Sequence, residues 1–224
     1  MSLPEIVSRE QWRAAREELR RREESARRER EALGAERRRL PMVEVDPEYL
    51  FEGGDGKATL LDLFEGRSQL VVHHFMFAPE RVTGCPCCAA FLDQVGHLAH
   101  LRARDTSFAA VSRAPFTRIL PFKARMGWTV PWYSAAPGDF NDDFEATVRN
   151  GGKPVDRPGL SCFLRDRDRV FHTYSVYDVD LDELGTTAAL LDLTALGRRP
   201  TGSEGLRLHD EYDSDPDGTF RVDR

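Results

Sequence analysis

The 224 residues contain four cysteines, and three of them stand together in Gly84-Cys85-Pro86-Cys87-Cys88. Cys85 and Cys88 form a C-x-x-C. Its place makes the pattern chemical: it follows a run that reads as a buried strand and opens one that reads as a helix. The first N–H groups of a helix lack partners and carry the positive end of the macrodipole, so a thiolate there is stabilised. The thiolate, not the thiol, is the nucleophile. Pro86 fits the first helical turn, where its missing N–H costs no bond. Cys88 returns one turn later, close enough to form a bond to Cys85. The roles expected are Cys85 as the attacking thiol and Cys88 as the thiol that resolves a mixed disulfide.

The remaining candidates are weaker. Cys87 reads as a small buried hydrophobe, the alternative being a vicinal disulfide with Cys88. Cys162, in an apolar run, reads as an ordinary core cysteine. A zinc site needs four ligands as a rule, and no second C-x-x-C or H-x-x-x-H supplies them. His73 and His74 are neighbours in a strand and point to opposite faces. No metal and no cofactor are therefore expected. Arg113, at a strand end, is a candidate support for an anionic thiolate or substrate. His172 reads equally as a half-buried strand residue or a catalytic one, and Trp128 and Trp132 as packing or cleft-lining residues.

The elements that must position the cysteines are legible around them. Residues 69–77, Q-L-V-V-H-H-F-M-F, form a nearly continuous apolar run, the pattern of a central strand buried on both faces. From Cys85 to about Leu101, Phe91, Leu92, Val95, Leu98 and Leu101 repeat at three and four, which predicts a helix. Further strands are expected at 107–112, near 129–133, and at 161–165 and 170–174, the last two as a hairpin. Helices are expected at 115–126, bent or broken at Pro121, and at 186–196. Residues 43–64 read as an entry segment around the turn 53–56, and 134–158 as a long loop. The alternation points to an α/β sandwich with a mixed central sheet flanked by helices.

Three divisions are expected: a charged helical extension over 1–40, the main domain over 41–200, and an acidic tail over 201–224. The first forty residues hold twelve Arg and nine Glu, against a net charge of −6 for the whole chain. Interleaved charges of this kind are the mark of a solvated helix with i,i+4 pairs rather than of a nucleic-acid surface. Ser8 and Gln11 have the spacing of a capping box, and the helix is expected to run to about Leu33, with Gly34 interrupting it. Its apolar stripe (Trp12, Ala15, Leu19, Ala26, Leu33) is too narrow for a stable isolated helix, so the helix must lie across its own domain or against a second subunit, and a homodimer through it is the expectation. No apolar run has the length of a membrane span or the look of a secretory signal. The expected setting is the cytoplasm, where clustered cysteines suggest redox chemistry rather than structural disulfides.

Several segments together resemble one family: L-P-E-I-V-S-R-E-Q-W at the start, L-P-M-V-E-V at 40–45, H-F-M-F at 74–77, G-C-P-x-C at 84–88, A-V-S-R-A-P at 110–115, M-G-W-x-x-P-W at 126–132, F-L-R-D at 163–166, F-H-T-Y-S at 171–175, L-D-L-T-x-L-G-R at 191–198 and H-D-E-Y at 209–212. The chain resembles a bacterial thioredoxin-like family of unknown function described as predicted dithiol–disulfide oxidoreductases. The resemblance implies a thioredoxin-like fold with Cys85 and Cys88 as the dithiol, acting on a disulfide-containing protein or a small thiol. Two departures stand out. Thioredoxins carry a cis-proline before the strand that faces the dithiol, and Leu160 occupies that place here. Peroxiredoxins carry P-x-x-x-T-x-x-C. Pro79 and Thr83 keep the first spacing, but Cys85 comes one residue early and position 86 is Pro. A thiol-dependent peroxidase is the alternative activity, and a non-catalytic interaction domain is the alternative without chemistry.

Overall fold

The computed structural model describes residues 4–178, 181, 184–198 and 206–212. The chain divides into two compact units, Met1–Pro41 and Met42–Arg224. The first contains helix α1 (Arg9–Arg37), opened by the expected capping box, in which Ser8 Oγ accepts from Gln11 N–H at 3.2 Å and Gln11 Oε1 from Ser8 N–H at 3.0 Å. The helix does not stop at Gly34. One glycine in a helix costs about 1 kcal/mol, and pairs such as Arg20–Glu17 and Arg28–Glu24 support the turns before it.

The second unit is built on an eight-stranded sheet. Its strands are β1 (Val43–Val45), β2 (Leu50–Gly53), β3 (Gly56–Thr59), β4 (Gln69–His74), β5 (Thr106–Ser112), β6 (Trp132–Ser134), β9 (Gly159–Asp166) and β10 (Arg169–Tyr177), in the order β1-β10-β9-β4-β5-β6-β2-β3. β4 pairs parallel with β5 and antiparallel with β9, and β9 pairs antiparallel with β10. This arrangement is a thioredoxin-like fold: a β-α-β crossover places two parallel strands side by side, and a β-hairpin completes the sheet on the flank of the first.

Side chains alternate along β4 as a strand requires. Leu70 and Val72 enter a core with Phe51, Leu60, Leu63, Phe140 and Phe163. Val71, Phe75 and Phe77 face a second core with Cys88, Leu92, Ile119, Phe122 and Trp132. Helix α2 (Leu60–Leu63) and α6 (Phe140–Asp143) contribute to the first core. Helices α3 (Pro86–Asp93) and α5 (Phe116–Arg125) contribute to the second, against which Leu101 of α4 (Ala99–Arg102) also packs.

Several expectations need correction. The predicted helix from Cys85 to Leu101 is two helices, α3 and α4. Gln94 ends α3 and uses its side chain to accept Thr187 N–H at 2.7 Å and to donate to Ala90 O at 2.6 Å. The apolar spacing persisted because Val95, Leu98 and Leu101 all pack on one core; it reported burial, not helicity. α5 runs through Pro121 without a break. Pro121 and Thr117, whose carbonyl loses its helical partner, are both exposed. The expected loop 134–158 contains α6 and the hairpin of β7 (Thr147–Asn150) and β8 (Lys153–Asp156). The entry segment contributes three strands to the sheet. α7 (Thr186–Leu191) is shorter than expected. Most of the expected acidic tail lies outside the described residues, but residues 206–212 are docked: Leu208 is buried, and Arg125 binds Asp210 at 2.7 Å.

Candidate active site

The ladder of β4 ends at His74, but the chain stays beside β5 for three more residues. Phe75 N–H donates to Val111 O at 2.8 Å, and Phe77 O accepts from Ala114 N–H at 2.7 Å. After the loop 78–84, the chain is stitched back to this same end: Cys85 N–H donates to Met76 O at 3.0 Å, and Met76 N–H donates to Cys88 Sγ at 3.4 Å. Gly84 makes the approach sterically allowed. A Cβ there would lie 2.4 Å from Phe75 Cε1 and 2.8 Å from Phe122 Cε1. The cysteine loop therefore lies directly on the aromatic core.

Cys85 is the N-cap of α3, in extended conformation, and Pro86 opens the helix as expected. Cys87 and Cys88 follow in its first turn. The four cysteines are thiols; Cys85, Cys87 and Cys162 are half-buried and Cys88 is buried. The sulfurs of Cys85, Cys87 and Cys88 lie within 4.8 Å of one another. That separation also suits a thiophilic ion, although among the described residues no fourth His, Cys, Asp or Glu joins the group.

The electrostatics differ from the sequence-based expectation in cause. The Cys85 thiol is held well below the usual thiol range, first by hydrogen bonds from the Cys87 and Cys88 thiols, with burial opposing them. The amides of Cys88 and Cys87 add to this without closing a formal capping bond. The neighbouring sulfurs thus outweigh the helix start. Cys87 is pushed up chiefly because it donates to Cys85, whereas Cys88 is pushed up chiefly by burial. Cys85 Sγ and Cys87 Sγ are 2.9 Å apart. Cys87 is therefore not the simple packing residue that the sequence suggested; adjacency to Cys88 had drawn attention away from its distance to Cys85.

The other candidates have partners of their own. Arg113, a candidate support for a thiolate, donates through Nε to Asp156 Oδ1 at 2.6 Å, with both side chains largely buried. The hairpin that supplies Asp156 was not legible in the sequence. His172 is a half-buried residue of β10 whose Nε2 meets Ser175 Oγ at 2.7 Å. Trp132 is buried and donates to Ser112 Oγ at 3.0 Å; Trp128 donates to Asp93 Oδ1 at 2.7 Å. Leu160 pairs with His73 and packs in the core that also contains Cys88. Among the described residues no peptide bond is cis.

The bacterial protein family of unknown function DUF899 matches residues 1–212. The chain belongs to this family. No curated protein sequence matches it. Among solved structures, peroxiredoxin Q of Xanthomonas campestris is 18% identical, with a TM-score of 0.48 over 65% of this chain and 90% of its own. A PrxQ mutant of Xylella fastidiosa is 12% identical, with a TM-score of 0.48 over 67% and 96%. Peroxidoxin BcpB of Mycobacterium tuberculosis is 19% identical, with a TM-score of 0.43 over 61% and 86%. Likenesses this distant carry no activity across. Among the described residues of the DUF899 chain, no helix is long and apolar enough to cross a membrane.

Proposed function

We propose that this chain is a thiol–disulfide oxidoreductase in which Cys85 attacks and Cys88 completes the dithiol. The observation that carries the reading is the Cys85 sulfur itself: half-buried at the N-cap of α3 and stabilised as a thiolate by two neighbouring thiols. In the reaction, Cys85 Sγ attacks one sulfur of a substrate disulfide and displaces the other as a thiolate. A second thiol of the protein then attacks Cys85 Sγ and releases the first as well. The substrate is reduced to two thiols and the protein is oxidised to a disulfide. The substrate class is a disulfide-bearing protein or a small disulfide.

A peroxide is the alternative electrophile, and it would leave a sulfenic acid on Cys85. Two further thiols beside the thiolate favour exchange between sulfurs. We also propose that α1 mediates a homodimer, since Trp12 and Leu33 are about half exposed (50% and 52%); light scattering showing a monomer would remove that part.

Cys85→Ser is expected to slow reaction with a small disulfide at least 100-fold by stopped flow. Because the Cys85 pKa lies below the usual range, the wild-type thiolate persists as pH falls. Its rate should therefore stay nearly flat from about pH 8 to 6, where an ordinary thiol with a pKa of about 8.5 slows sharply. Rapid sulfenic acid formation on Cys85, with no reaction toward disulfides, would transfer the assignment to a peroxidase. An undiminished rate in Cys85→Ser would reject both.

A further inference from the structure

Cys85 has a second sulfur within reach besides its C-x-x-C partner. Cys85 Sγ lies 2.9 Å from Cys87 Sγ. Cys88 is 1% exposed, packed in the core with Phe75, Phe77 and Leu92, and its sulfur already accepts Met76 N–H at 3.4 Å. Cys87, half-buried, is still in touch with solvent. A thiol that resolves a mixed disulfide must reach the sulfur under attack and must lose its proton. Cys87 is placed for both.

We propose that Cys87 is the thiol that first resolves the intermediate on Cys85, and that Cys88 takes the bond afterwards as the buried end of a three-thiol relay. This rests on the reading of Cys85 as the nucleophile. In the first step the Cys85 thiolate bonds to one sulfur of a disulfide R–S–S–R′, and R′S⁻ leaves. Cys87 then gives its proton to R′S⁻ or water and attacks Cys85 Sγ. The Cys85–Cys87 disulfide forms and RS⁻ leaves, which completes the two-electron transfer. In the last step Cys88 loses its proton to the Cys87 sulfur as it attacks Cys85 Sγ. The bond passes to Cys85–Cys88 and Cys87 is again a thiol, with no net change in oxidation.

The order follows from what holds each proton. Cys87 is restrained chiefly by donating to the Cys85 thiolate. That restraint vanishes once Cys85 is bonded in a neutral mixed disulfide. Cys88 is restrained chiefly by burial, which the first step does not relieve. The last step is downhill because a disulfide spanning only Pro86 closes a smaller ring than one spanning two residues, and strained disulfides are the more oxidising.

The test uses the full chain in a Cys162→Ala background with one equivalent of dithionitrobenzoate, whose released thiol is coloured. The parent should release about two equivalents, because resolution expels the second half of the reagent. Cys88→Ser should also release about two, and peptide mass spectrometry should find the Cys85–Cys87 bond; Cys88→Ala repeats the measurement should Ser in the core lower stability. Cys87→Ser should slow the second release at least tenfold. The double variant should stop after about one equivalent, with the adduct on Cys85. The relay is overturned by Cys88→Ser stopping at one equivalent while Cys87→Ser keeps the parental rate, or by equal second-phase rates in the two single variants. Either outcome leaves Cys85 as nucleophile intact. Only a parental first release in Cys85→Ser would remove that.

Discussion

The two faces of β4 carry adjacent histidines in opposite circumstances. His73 is 0% exposed and His74 is 1% exposed. His74 stacks on Phe140 and has a polar network: Nε2 meets Ser161 Oγ at 2.8 Å, Ser161 Oγ meets Ser175 Oγ at 2.8 Å, and Nδ1 approaches Asn141 Oδ1 at 3.4 Å. His73 faces the thiol side, lies against Phe75 and Phe91, and among the described residues neither of its nitrogens has a hydrogen-bond partner. The face that carries the cysteines is therefore the apolar one. The lesson is that burial and polar satisfaction are separate properties. An apolar backing strengthens the polar contacts that do exist there, the Cys85–Cys87 contact among them, because the local dielectric is low.

The largest effect that can break this comparison is the acid sensitivity of both histidines. Burial pushes His73 down to about 3 and His74 down to about 4. In the unfolded chain both protonate near 6.5. As pH falls below that value, the unfolded state binds up to two more protons than the native one. Stability is therefore intact above about pH 6.5 and falls on acidification, approaching about 2.7 kcal/mol per pH unit until His74 protonates in the native state. Urea unfolding at pH 7, 6 and 5 measures this, and equal stabilities would show that neither ring is held neutral. A smaller effect belongs to Ser161→Val, which leaves His74 Nε2 without its partner and should cost about 1–3 kcal/mol. Smallest is His73→Leu, which removes no hydrogen bond; it should change stability by less than about 1 kcal/mol while removing about half of the acid slope. A loss matching that of His74→Leu would erase the contrast between the faces.

Part of this was readable from residue order. The run from Gln69 announced a doubly buried strand, and opposite faces for His73 and His74 followed from strand geometry alone. The Ser8–Gln11 capping box was legible because it depends on residues three apart. What escaped were features set by distant residues. Asp156 captures Arg113 across 43 positions, and the hairpin bearing it was hidden in a Gly/Pro/Asp-rich stretch that read as loop. Gln94 ends α3 partly through Thr187, 93 residues away. Neither contact has a local signature.

The candidate site divides in the same way. By itself, the sequence determined that Cys85 begins a helix behind a core strand, with Pro86 at its first position, because strand period, helix period and the tolerance for proline are local properties of the backbone. It also determined that three thiols fall within one helical turn. Only the tertiary structure decided how those thiols differ. Gly84 lies flat against Phe75 and Phe122, which seats the turn on the core and turns the Cys88 sulfur inward to Met76 N–H while leaving Cys85 and Cys87 at the rim, 2.9 Å apart. The acidity of Cys85 follows from that seating: it comes first from the neighbouring S–H donors, whose direction depends on packing against residues far away in the chain.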